Sequence, residues 1–236
     1  MEYILEKISS IDLKEPLNQI LQSKRINFHV YLRRTTMNHV EYDKINNLNY
    51  IEYCDYLQQK HGIGKYNYMT STWNKNSRSS RTSEGLIAHH KYEDTVVMLS
   101  NKNIAMMYPF EWQEKQNLIY CNYLEHLLLH VLICEHPSID RPPNMNVGIG
   151  GVINFIAPEL NDVYSGFITN QKWRETCYSK IIDHKDVYLL ILKRFKESAK
   201  NNPSYTENCL FRSYNEKHGL WDSKKNIKIY NEIYSL

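Results

Sequence analysis

The residues best suited to chemistry lie between Glu84 and Glu135. An adjacent pair, His89-His90, closes the short apolar run LIAHH; Asn117-Leu118 follows, then the leucine-rich segment YLEHLLLHVLICE with His126 and His130. On a helix, residues four apart share one face about one turn apart. That spacing suits two imidazoles binding one ion. A third neutral imidazole from the preceding strand would complete a three-histidine site with a position left for water or phosphate. A lone histidine on an apolar helix is more often a core residue than a ligand, and an adjacent pair alone says little. Their order, strand then strand then helix, carries the reading.

The elements that must position them can be read around the motif. LIAHH, bounded by Gly85, predicts a strand delivering both imidazoles at its end. EDTVVMLSN predicts a second β-like run, MMYPFEWQEKQ a loop, and NLIYC a short strand opening into the helix. Pro137, Pro142 and Pro143 mark the loop that ends it. GIGG at 148–151 lacks the Lys-Ser/Thr of a phosphate-binding loop and reads as a turn before the apolar run VINFIA. Elsewhere, helical spacing predicts one or two short helices over 1–23, a helix over 42–60 and one or two amphipathic helices over 171–200. INFHVYL reads as a basic-edged strand. In the last helical stretch Val187, Leu190, Ile191 and Phe195 form the apolar face, with Lys193, Arg194 and Lys196 outward. The fold class expected is α+β.

From Leu57 to Ser83 the chain carries Lys60, Lys65, Lys75, Arg78 and Arg81 and no acidic residue, with Tyr66, Tyr68 and Trp73 interleaved. Such a loop is either a solvated surface or a track for a phosphate backbone, where each neutralised phosphate releases counterions. Its run directly into His89-His90 favours contact, with Lys65, Lys75, Arg78 and Arg81 as the candidate nucleic-acid-binding residues. A second basic-aromatic patch, Lys217, Trp221, Lys224, Lys225, Lys228 and Tyr230, lies in the tail.

Composition narrows the classes. The 236 residues, 42% hydrophobic and 23% charged, are ample for a buried core. Net charge is only +3, so affinity for nucleic acid would come from local clustering. No apolar run reaches the roughly 18–20 residues that span a bilayer, so no membrane association is expected. MEYILEKISS lacks the layout of a signal peptide. Cys54, Cys121, Cys134, Cys177 and Cys209 are odd in number, scattered and never in a CxxC pair, pointing to reduced thiols in a cytoplasm rather than a disulfide framework or Cys-based zinc cluster.

His89-His90, then Asn117-Leu118, then His126-xxx-His130 on a helix resembles the HNH (ββα-metal) endonucleases. The resemblance covers about fifty residues. It implies a ββα-metal core, embedded in a mainly helical surround and, with its basic loop, bounded at 57–160; outside the resemblance, 1–56 reads as a helical and strand scaffold and 161–236 as a helical region that either contacts DNA or is a solvated surface. It also implies His89, His126 and His130 as ligands of one divalent ion, His90 as the general base and Asn117 as the brace that ties the loop, with Asn117 or a backbone carbonyl fixing the tautomer of His90. The implied reaction is hydrolysis of DNA leaving 5′-phosphate and 3′-hydroxyl ends, in a bacterial, phage or plasmid-encoded cytoplasmic protein. No small-molecule cofactor is expected, and a homodimer would suit a double-strand cut. Three imidazoles favour Zn²⁺, Ni²⁺ or Mn²⁺; Glu93 or Asp94 in the shell would make Mg²⁺ easier to hold. Two alternatives stand beside this: a non-catalytic zinc-binding DNA-interaction module, and an RNA-directed nuclease.

Overall fold

Helix α3, Tyr123–Glu135, is the axis on which the other elements pack. Leu124, Leu127, Leu128, Leu129, Val131, Leu132 and Ile133 are all fully buried, as expected for a helix apolar on nearly every side. Its start is fixed by a reciprocal cap: the Asn122 side chain accepts from the backbone N–H of Leu124 and Glu125, and Glu125 accepts from that of Asn122. Before it come α1 (His39–Ile45) and α2 (Tyr50–His61), the latter capped in the same way by Asn49 and Glu52. Strands β1 (Ile87–His90) and β2 (Leu118–Cys121) pair antiparallel, with His89 opposite Ile119 and His90 opposite Leu118. After α3 come α4 (Ala157–Tyr164), α5 (Lys172–Tyr178), α6 (Lys185–Ala199) and α7 (Ser223–Tyr234). The result is an α+β fold, mostly helical with a small two-stranded antiparallel sheet.

The computed structural model describes residues 36–214 and 223–236. The helices expected over 1–23, the strand INFHVYL, Lys217 and Trp221 lie outside these. Residues 37–236 form one compact unit. The boundaries expected at 56/57 and 160/161 fall inside α2 and α4. No helix among the described residues is long and apolar enough to cross a membrane.

Several local expectations change. EDTVVMLSN is not a strand: Lys91–Asp94 form a 3₁₀ turn and Met98 sits at φ 62°. Val96 and Leu99 are buried by packing without joining a ladder, so their β-branched and apolar character serves the core alone. GIGG is not a turn before an extended run. It opens a helical segment, Ile149–Gly151, that passes through one π turn at Val152–Ile156 into α4. The helix expected over 42–60 breaks into α1 and α2, because Asn49 caps a fresh start. Arg194 does not simply face solvent; its guanidinium grips both carboxylate oxygens of Glu135 at 2.7 Å and the Asn46 carbonyl at 2.7 Å. It thereby ties the ends of α1 and α3 to α6.

Candidate metal centre and flanking clefts

His89 and Glu93 come from the end of β1 and the turn after it, and His126 and His130 from one face of α3. One donor atom from each lies within 4.8 Å of all the others, a group able to hold a metal ion. His89 Nδ1 is 3.4 Å and His130 Nε2 3.5 Å from the same oxygen of Glu93, and the Nε2 atoms of His126 and His130 are 3.3 Å apart. Two ligands about 2.1 Å from a tetrahedral centre would be about 3.4 Å apart. Three of the donor pairs therefore already stand close to the spacing such an ion requires.

The outer contacts select the reactive nitrogen. The Tyr50 hydroxyl donates to the Lys91 carbonyl at 2.9 Å, so its oxygen accepts from His89 Nε2–H at 2.9 Å. The lone pair of neutral His89 is thus left on Nδ1, facing Glu93. A hydrogen bond on one ring nitrogen that frees the other is the usual device for orienting a histidine ligand. His130 is fixed by shape. A Cβ at Gly151 would lie 2.3 Å from its ring, so the helix segment can press against this imidazole only as glycine. The Nδ1 atoms of His89, His126 and His130 are buried without hydrogen-bond partners.

The electrostatics match. Burial pushes His89 down to about 3 and carries His126 and His130 downward as well, so all three are neutral at pH 7. Burial alone would raise the Glu93 carboxyl, but His89, His90 and His130 outweigh it and hold the group below the usual carboxylate range. No Lys or Arg is paired with Glu93 among the described residues. An anion grouped with three neutral imidazoles, His89 through Nδ1 and His126 and His130 through Nε2, is a donor set suited to a divalent cation.

His90 stands beside this group without joining it. Its Nδ1 is 3.6 Å from the second oxygen of Glu93, and its Nε2 is 3.1 Å from Gln113 Oε1. The Gln113 amide nitrogen donates to the Leu99 carbonyl at 3.2 Å, so the amide oxygen is the atom turned to His90. Nε2 must then carry a proton, and Nδ1 faces the Glu93 carboxylate. Tyr68 closes the other side, edge-on at 4.5 Å between ring centroids.

The expected residues fall into three groups. His89, His126 and His130 come together. Glu93, whose part was open, joins them, whereas Asp94 accepts from the Thr95 hydroxyl instead. Asn117 does not fix the tautomer of His90. Its amide donates to the Glu111 carbonyl at 2.7 Å, tying the loop, and Gln113 holds the ring. Tyr50 and Gln113 carry no sequence signal for this role, and Gly151 reads from sequence only as part of a turn. The His89-xxx-Glu93 spacing was a visible signal; for Gln113, far from His90 in sequence, there was none.

The basic loop folds into two clefts on either side of the 77–82 turn. One, of about 390 Å³, includes Lys75 and Arg81; the other, of about 420 Å³, includes Lys65, Arg78 and Arg81. Lys75 and Arg78 lie over the rings of Tyr68 and Tyr66. Arg81 is committed to structure, forking onto Glu84, bonding the His61 carbonyl at 2.7 Å and lying 4.7 Å from the Tyr120 ring centroid. Lys65, Lys75 and Arg78 have no carboxylate partner among the described residues. Comparison with known protein families, curated proteins and solved structures finds no match for the chain.

Proposed function

We propose that the chain is a metal-dependent endonuclease of the HNH type that hydrolyses phosphodiester bonds in DNA. The observation that carries this reading is His90: a buried imidazole oriented by Gln113 through Nε2, its Nδ1 directed at the edge of the His/Glu group but outside it. A purely structural ion site has no use for such a residue.

In this reading His89, Glu93, His126 and His130 hold one divalent ion, which would stabilise the charge developing on the scissile phosphate and leaving oxygen. Gln113, anchored by the Leu99 carbonyl, keeps the proton of His90 on Nε2. Nδ1 is then the atom that accepts a proton from the attacking water. Tyr50 holds His89 in the matching tautomer. Lys65, Lys75 and Arg78 supply positive charge along the clefts for the sugar-phosphate backbone. Three imidazoles and a carboxylate favour Zn²⁺, Ni²⁺ or Mn²⁺ over Mg²⁺ by ligand softness.

One observation favours a second reading. Glu93 raises the protein ligands to four, the number of a closed structural zinc site, as in a non-catalytic DNA-interaction module. His90→Ala separates the two. Purified protein is incubated with supercoiled plasmid, and separately with RNA, in EDTA, Mg²⁺, Mn²⁺, Ni²⁺ or Zn²⁺. The nuclease reading expects metal-dependent nicking that falls by about 10²–10⁴-fold in His90→Ala while calorimetry shows ion binding intact. Tight ion binding with no cutting by the unaltered protein would establish the module. Cutting of RNA alone would change the substrate and leave the residue roles standing.

A further inference from the structure

The cleft of about 390 Å³ contains a feature that backbone contact does not explain. Its lining comes from distant stretches of chain: Lys75, Ser80 and Thr82 from the basic loop, Ala88 from β1 and Trp173 from α5. α5 packs against the Thr82–Glu84 turn, which brings Trp173 there. The lining contains no carboxylate. Trp173 is 40% exposed, with the Arg174 guanidinium over its ring at 5.2 Å from the centroid and much of the aromatic surface in water. Tyr68 also lines the cleft and is the ring set edge-on against His90. Ala88 and His90, two apart on a strand, point to the same face. The cleft therefore lies on the other side of the Tyr68 ring from the candidate general base.

We propose that this cleft receives a single unpaired nucleotide of the substrate strand next to the bond to be cut, its base stacked on Trp173 and its phosphate held by Lys75 and the hydroxyls of Ser80 and Thr82. The volume lies at the low end of pockets that enclose one small molecule and is far too small for a duplex. A phosphate needs cations and hydroxyls but gains nothing from an exposed indole; a nucleobase does. In an intact duplex each base face is covered by its neighbours, so only a frayed, looped or single-stranded nucleotide can offer one.

The inference rests on the nuclease reading, and binding measured in EDTA separates the two. The probes are a fluorescein-labelled single-stranded dT 12-mer and a duplex of the same length, titrated by anisotropy with the unaltered protein, Trp173→Ala, Trp173→Phe and Lys75→Ala. Trp173→Ala is expected to weaken single-strand binding by about tenfold and duplex binding by less than about twofold, with Trp173→Phe retaining most of the affinity. Lys75→Ala is expected to weaken both and to lower the salt dependence by about one ion. Circular dichroism melts confirm that the variants fold. Equal loss on both probes, or no loss, would overturn the unpaired-base assignment while leaving the nuclease reading in place if plasmid is still cut. No binding of either probe by the unaltered protein would overturn both. Displacement by dTMP at concentrations as low as the unlabelled 12-mer would identify a free-nucleotide site and overturn the strand assignment.

Discussion

α3 holds a buried carboxylate at its start, Glu125, and faces a second, Glu93, with its histidines. Their surroundings differ in one respect. Glu125 is fully buried and matched by a fixed cation: Lys60 Nζ lies 2.7 Å from one oxygen and also bridges to Glu41, while His61 Nε2 lies 2.9 Å from the other. The same carboxylate closes the cap on Asn122. Burial would raise it, yet Lys60 and His61 bring it down to about 2. That cluster is complete. Among the described residues Glu93 has only imidazoles around it, with the unpartnered Nδ1 of His89 turned to it. One arrangement is a finished structural joint, and the other is a set of donors suited to a cation from outside.

The sharpest way to break this contrast is at the finished joint. Glu125→Ala leaves Lys60 buried with only Glu41, strips His61 of its carboxylate and removes the Glu125 half of the cap, so urea unfolding is expected to show a loss of about 3 kcal/mol, the same with or without added metal. A loss that disappears on adding metal would place Glu125 in the ion's shell.

Next in size is the response to metal itself. Zn²⁺ at a hundredfold excess over its dissociation constant should stabilise the unaltered protein by about 2.7 kcal/mol, read as a rise in thermal midpoint. Glu93→Gln or His130→Ala should lose most of that rise. A full rise in both variants would show that the ion sits elsewhere.

The smallest effect is that of acid on the metal-free protein. The folded values of His89, His126 and His130 lie below the ordinary 6.5, so between the two values the unfolded chain binds the more protons. Their contribution is present above pH 6.5 and is lost as pH falls from there towards about 3. Glu125 is lowered too, from 4.5 to about 2, and its contribution fades only within that lower window. A urea midpoint that drops between pH 7 and pH 5 therefore reports the imidazoles, before Glu125 titrates. An unchanged midpoint over that range would mean that the folded centre accommodates charged histidines.

What the sequence made legible follows from range. β1, β2 and α3 announce themselves through local pattern: a short apolar run ending in histidines, NLIYC before a cap, and a leucine-rich stretch with His126 and His130 one turn apart. These placed three of the four grouped residues. The apolar run at 95–99 misled because Val96 and Leu99 are apolar for the core and have no strand to pair with. Gln113 is a long-range partner, set by how the loop folds back beneath Leu99, and no periodicity encodes that. Gly151 looked like part of a turn because its requirement is steric and lies in another helix, in the ring of His130.

The positions of the four grouped residues also have a consequence for chain entropy. They form two local pairs, 89 with 93 and 126 with 130, at the two ends of a long excursion through residues 94–125. Whatever binds all four at once closes that excursion as a clip, and closing a long loop removes freedom chiefly from the unfolded chain. The one-turn segments at Lys102–Ala105 and Phe110–Gln113 lie inside the loop so closed, as does Gln113. The group that would bind the ion is thus also the fastening that shortens the search of its own supporting loop, and with it the placement of His90.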